Sequence, residues 1–86
     1  LSSVTSLTDL TIGSSVTSIE NETFNGCTSL ATIISFATSA PTLGSQVFEN
    51  VAATQIRVPP GAKASYEAAG DGTTYGGLII VDDLTV

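Results

Sequence analysis

Apolar residues recur along this chain at Leu7, Leu10, Ile12, Val16, Ile19, Phe24 and Cys27, separated mostly by polar ones, and the series begins again twenty-three residues later. Leu30 follows Leu7 and Ile33 follows Leu10 at that interval, while Cys27-Thr28-Ser29-Leu30 echoes Val4-Thr5-Ser6-Leu7. A period of about 20–30 residues marks a solenoid, in which each unit buries one strip of side chains against the next. In the first unit the step from Leu10 to Ile12 puts both on one face of a strand, with Asp9 and Thr11 on the other. Gly13-Ser14-Ser15 is a turn cluster, Val16 and Ile19 form a second buried pair, and Phe24 closes the unit from the opposite side. Asn25-Gly26 favours positive φ and suits a sharp corner before the next strand.

The second unit is looser. Its run Leu30-Ala31-Thr32-Ile33-Ile34-Ser35 places Ser35 where the first unit has the aliphatic Ile12. Leu43 and Phe48 follow Ile19 and Phe24 by twenty-four residues, which implies one inserted loop residue. A third strand, Thr54-Gln55-Ile56-Arg57-Val58, sets Ile56 twenty-three residues after Ile33. The repeat itself dictates parallel, in-register strands about 4.8 Å apart. Pro59-Pro60 ends the ladder, since neither residue donates a backbone hydrogen bond. Gly61 to Ala69 then reads as a short helix closed by Gly70 and held by Ala62, Tyr66 and Ala69 against the last repeat. A Gly-rich loop from Gly70 to Gly77 leads to a final buried strand, Leu78 to Val81. Residues 1–58 are thus read as about two and a half repeats and 59–86 as a carboxy-terminal cap of the same domain.

Composition narrows the options. With 86 residues, 42% hydrophobic and 12% charged, the chain is too apolar to stay disordered, and its Thr, Val and Ile suit pleated structure. A domain of this size buries only about 60% of its unfolded surface, so its stability margin is thin. The net charge is −6, and only Arg57 and Lys63 are cationic, too few to drive binding to nucleic acid or an anionic membrane. The longest apolar run, Leu78-Ile79-Ile80-Val81, falls far short of the roughly 20 residues that span a bilayer. Leu1-Ser2-Ser3-Val4 enters in mid-repeat without an initiator Met, which is read as a fragment or processed product of a longer protein, lacking repeats on the amino-terminal side.

The spacing Leu7-x-x-Leu10-x-Ile12-x-x-x-Val16-x-x-Ile19-x-x-x-x-Phe24-x-x-Cys27-x-x-Leu30 resembles the BspA-like, or treponemal-type, leucine-rich repeat family of bacterial surface proteins. Ala40-Pro41-x-Leu43-Gly44, Phe48, Ile56-x-Val58-Pro59 and Tyr66 with Ala68-Ala69 look like that family's last repeat and closing segment. The Trp that often follows the closing helix is absent, and Asp71 to Tyr75 stands in its place. The resemblance implies a mainly β repeat solenoid: a leucine-rich-repeat right-handed superhelix with short parallel strands, closed by a C-terminal cap with one short helix. It also implies an extracellular or cell-surface location and a role in adhesion or recognition, with a host or bacterial surface protein or glycan as partner.

Catalytic chemistry is hard to assemble from these residues. Histidine is absent, which removes the commonest general base and a frequent metal ligand. Cys27 occupies a buried apolar repeat position and reads as a small hydrophobe. Glu20 and Glu22 share a face only if locally extended, Asp82 and Asp83 point oppositely on a strand, and neither pair has calcium-loop spacing. They read as surface carboxylates. Asn21-Glu22-Thr23 matches a glycosylation acceptor only formally. No enzyme, cofactor or metal is expected.

One constellation carries a functional expectation. Repeat arithmetic aligns Asp9, Thr32 and Gln55 in one row and Thr11, Ile34 and Arg57 in the next, on the face that leucine-rich solenoids present as their concave side. Three strands span only about 10 Å between the outer two, against about 800 Å² per partner in a standard interface, so this surface is an edge of a binding site. The favoured reading is a noncovalent protein- or glycan-binding module. The alternative is a structural stalk and cap of a longer array whose binding repeats lie upstream.

Overall fold

The computed structural model describes residues 2–84, so Leu1 of the opening segment and the last two residues of the 59–86 segment lie outside the described residues. Among the described residues seven strands and one helix follow in order: β1 (Asp9–Ile12), β2 (Ser18–Ile19), β3 (Thr32–Ser35), β4 (Thr42–Leu43), β5 (Gln55–Arg57), α1 (Lys63–Ala69), β6 (Thr74–Tyr75) and β7 (Leu78–Val81). They form a five-stranded sheet ordered β1-β3-β5-β7-β6 and a two-stranded sheet, β2-β4. Only β6 runs antiparallel, beside β7. The expected mostly parallel repeat with one short helix is present.

The registers reproduce the sequence arithmetic. Asp9 pairs with Thr32 and Ile12 with Ser35, each twenty-three residues on, and Ile34 pairs with Arg57 at the same interval. In the smaller sheet Ile19 pairs with Leu43, which places the inserted residue between the two sheets of the second unit. The corners repeat as well. Ser3, Gly26 and Asn50 all adopt φ between 60° and 80°, and Glu22 and Gln46 form a second such pair. Backbone bonds join one corner to the next: Ser3 N–H donates to Asn25 C=O at 2.7 Å, and Gly26 N–H to Glu49 C=O at 2.9 Å. Stacking units therefore satisfy loop amides that would otherwise need water.

Between the two sheets lies one core. Cys27, Leu30, Ile33, Ile56 and Val58 are buried, and the rings of Phe24 and Phe48 stack at 5.9 Å with an interplanar angle of 6°. Such a pair adds about 0.5–1.5 kcal/mol beyond the area it removes from water. Gly44 is required by this stacking, because a Cβ there would collide with the backbone of Asn21 in the preceding unit.

Ser35 is not a lapse in the pattern. It is wholly buried, its Oγ accepts from Ala37 N–H at 3.2 Å and lies 2.6 Å from the Tyr66 hydroxyl, and Tyr66 in turn donates to Ala37 C=O at 2.6 Å. A closed ring of three hydrogen bonds thus pins α1 to the second repeat. Tyr75 adds a parallel anchor, donating to Pro41 C=O at 2.6 Å and meeting Tyr66 edge-to-face at 4.9 Å. Burial raises the pKa of both phenols, opposed at Tyr66 by the Ser35 hydrogen bond and reinforced at Tyr75 by the charge Tyr66 would carry.

Several expectations need correction near the end of the chain. Helix α1 starts at Lys63, and of its expected packing residues Ala62 and Tyr66 are buried but Ala69 is exposed. Gly70 does not take a left-handed conformation; its φ is −99°, and the site demands glycine because a Cβ would strike Thr74 C=O. The supposed loop contains β6, which turns back on β7 through Gly76 and Gly77, both at positive φ. The last strand is not uniformly buried: Leu78 and Ile80 face inward while Ile79 is 58% exposed. It also extends the repeat ladder, since Ile56 pairs with Ile80 in parallel.

Candidate functional site

Alternation along the strands sorts their side chains between core and solvent. Ile12, Ile33, Ser35, Ile56 and Ile80 point inward, which leaves Asp9, Thr11, Thr32, Gln55 and Arg57 exposed and Ile34 half-buried. All six residues expected at a binding surface therefore share one face of the larger sheet. Register pairs Asp9 with Thr32 and Thr11 with Ile34, then Ile34 with Arg57. The next strand adds Ile79 beside Gln55 and Val81 beside Arg57. Sequence reasoning missed these two. The interval of twenty-four residues from Ile56 to Ile80 was available as a signal, but a helix and a Gly-rich turn intervene and hide the continuing ladder.

A hollow of about 220 Å³ lies on this sheet, lined by Ala31, Thr32, Ile33, Gln55 and Arg57. The Arg57 Nε donates to Asp83 Oδ1 at 3.0 Å, with the side chains 44% and 61% exposed. At that exposure the pair contributes about 0–1 kcal/mol to stability, so its effect is to hold the guanidinium in place and match its charge. Asp83 follows the end of β7 and is engaged there, not simply solvated.

Other acidic groups occupy separate places. Glu22 adopts φ of 59° in a corner, so the Glu20 to Glu22 stretch is not extended and the two carboxylates share no strand face. The Asn21 Oδ1 accepts from Ser45 N–H at 2.8 Å, tying one corner to the next. Asp71 closes the turn before β6 by accepting from the amides of Thr73 and Thr74 at 3.0 and 2.7 Å and from both hydroxyls. The Thr74 and Thr73 amides, in that order, hold its carboxyl well below the usual range. Among the described residues, no group of three or more His, Cys, Asp or Glu is arranged to hold a metal. Cys27 is buried within the core, as its repeat position implies.

A second hollow lies elsewhere. About 340 Å³ opens at the β1 end, lined by Leu10, Ile12, Val16, Ile19 and Phe24 with Glu20 among them. Leu7 and Leu10 of the first unit are half-buried, whereas their counterparts Leu30 and Ile33, covered by the first unit, are buried. Val16, expected in the buried set, is likewise only half-buried for want of a covering layer.

A chain that lays one short parallel strand on the next at intervals of 23 or 24 residues, with an exposed polar row and a shared apolar strip, is a leucine-rich-repeat module. The comparison with known families agrees: a family model described as "BspA type Leucine rich repeat region (6 copies)" matches residues 2–69, and the chain belongs to that family. No curated protein and no solved structure matches the chain significantly. Leucine-rich repeats are typically non-enzymatic. Among the described residues no helix is long and apolar enough to cross a membrane.

Proposed function

We propose that this chain is a noncovalent protein- or glycan-binding module of a bacterial cell-surface leucine-rich-repeat protein, working in adhesion or recognition outside the cell. The observation that carries this reading is the gathering of Asp9, Thr11, Thr32, Ile34, Gln55 and Arg57 onto one solvent-facing sheet surface. Rigid stacked strands preorganise such a surface, so little ordering entropy opposes binding. In this reading the units coil as a right-handed superhelix, residues 1–58 supply the repeats, and residues 59–86 close them. Neither nucleic acid nor a lipid bilayer is a partner of this segment, and no cofactor takes part.

The test is a screen of the protein against surface-immobilised glycans and matrix proteins, followed by Arg57→Gln and Ile34→Thr. Each change should weaken capture about tenfold, the worth of roughly 1.4 kcal/mol of lost contact, while the melting temperature falls little. Unchanged capture by both variants removes this face from the function.

A second reading has its own support. The antiparallel β6 and the anchoring of Tyr66 and Tyr75 favour a cap that closes a repeat array, with ligand binding done by other repeats. Removing residues 59–84 separates the two. A cap is lost with solubility of the remaining repeats, whereas a binding module loses affinity.

A further inference from the structure

The side chains on the sheet surface discriminate between the two kinds of ligand. Ile79 is the one large hydrophobic residue that is exposed among the described residues. It stands on a strand paired on both sides, with Gln55 and Thr74 as its cross-strand neighbours and half-buried Val81 two residues along the same face. The adjoining row continues through Arg57 to half-buried Ile34. A small aliphatic patch, Ile34, Ile79 and Val81, therefore surrounds the stem of Arg57.

Sugar recognition asks for different surroundings. Pyranose rings present flat C–H faces that pack on open aromatic faces, whose negative charge they meet. None of the five aromatic rings of this chain is exposed: Phe24, Phe48, Tyr66 and Tyr75 are buried, and Phe36 is half-buried. Both tyrosine hydroxyls donate inward, to Ala37 and Pro41, and so are withdrawn from any ligand.

Charge points the same way. Arg57, the cation on this surface, is already matched by Asp83, whereas Asp9 on the same face is engaged by the Thr8 hydroxyl and, among the described residues, by no cation. The chain as a whole carries −6, and its other cation, Lys63, lies in α1. The complementary surface is basic.

Resting on the reading of this face as a binding surface, we infer that its occupant is a basic polypeptide segment with aliphatic side chains, not a glycan. Aliphatic residues of the segment cover Ile79 and Val81, and its lysines or arginines meet the acidic field. The limited area suits an extended segment better than a globular surface.

The experiment uses methyl and amide NMR on the intact chain. The probes are a Lys/Val/Ile peptide with alternating basic and aliphatic residues, its Glu-for-Lys counterpart, maltohexaose and chitohexaose. Ile79→Thr serves as the variant because threonine keeps the β-branched strand preference. Shifts at Ile34, Ile79 and Val81 with the cationic peptide, absent with the acidic one and weakened about tenfold by Ile79→Thr, support the inference. An oligosaccharide that shifts these methyls when the cationic peptide does not overturns it and leaves the face as a binding surface. Cationic peptide binding that Ile79→Thr leaves unchanged overturns it too, since the contact is then elsewhere. If no probe perturbs the face and Arg57→Gln leaves capture of every screened ligand intact, the underlying reading fails with it.

Discussion

Ser35→Val turns the second repeat into a better copy of the first, where Ile12 holds the matching place. By repeat pattern alone the change stabilises, because burying the added apolar surface contributes about 1.5 kcal/mol. The structure reverses the sign. Valine leaves the Ala37 amide without its buried acceptor, at about 1–3 kcal/mol, and removes the Ser35 to Tyr66 bond, at about 1 kcal/mol. Its larger side chain must also fit a site packed around a hydroxyl, which adds about 1–3 kcal/mol of strain. A net loss of about 2–5 kcal/mol follows, equal to a fall of about 10 °C or more in melting temperature for a domain of this size. Urea titration and calorimetry of Ser35→Val, Tyr66→Phe and the double variant check it. Because both single changes abolish the shared hydroxyl contact, the double variant should fall short of additivity by about 1 kcal/mol. A melting temperature that rises in Ser35→Val, or strict additivity, refutes the hydrogen-bonded ring as the reason for this serine.

Three further outcomes follow from the packing. Gly44→Ala, which drives a Cβ into the Asn21 backbone, should cost about 1–3 kcal/mol in urea unfolding, whereas Gly13→Ala, with open space around it, should be nearly neutral. Both tyrosines have raised pKa values in the folded state, so stability is full below the unfolded phenol pKa of about 10 and falls as pH climbs above it. Absorbance at the tyrosinate band should then appear only with unfolding, for both rings together. Asp71 has a depressed pKa, so its turn is intact above the unfolded carboxyl value of about 4 and weakens as pH falls below it. Carboxyl NMR titration should find its midpoint well below the usual carboxylate range, and Asp71→Asn should abolish the dependence.

The repeat was legible in the sequence because its period and its burial have the same cause. Leu30, Ile33 and Ile56 recur where each strand must face the same core, so spacing alone fixed their partners and the rows outside them. What escaped was contact made at long range by unlike residues. Ser35 looked like a fault because its partner Tyr66 lies thirty-one residues away in a helix that belongs to no repeat. The pairing of Arg57 with Asp83 was hidden for the same reason. β6 went unread because a two-residue strand in a Gly-rich stretch offers too short a pattern, and its place is set by pairing with β7 and packing of Tyr75. Val16 and Leu10 were assigned to the interior by their period, but burial also needs a covering layer, and the period says nothing of that.

The antiparallel direction of β6 gives the molecule unlike ends. At one side β1 is the outer strand of the larger sheet, beside an apolar hollow, and at the other the edge of β7 is occupied by a strand running the wrong way to continue the ladder. Head-to-tail association needs two different, complementary surfaces, and here one of them is blocked. A further parallel unit therefore finds no matching edge beside β7, so the strand that ends the ladder also removes the surface on which stackable units would go on adding to one another.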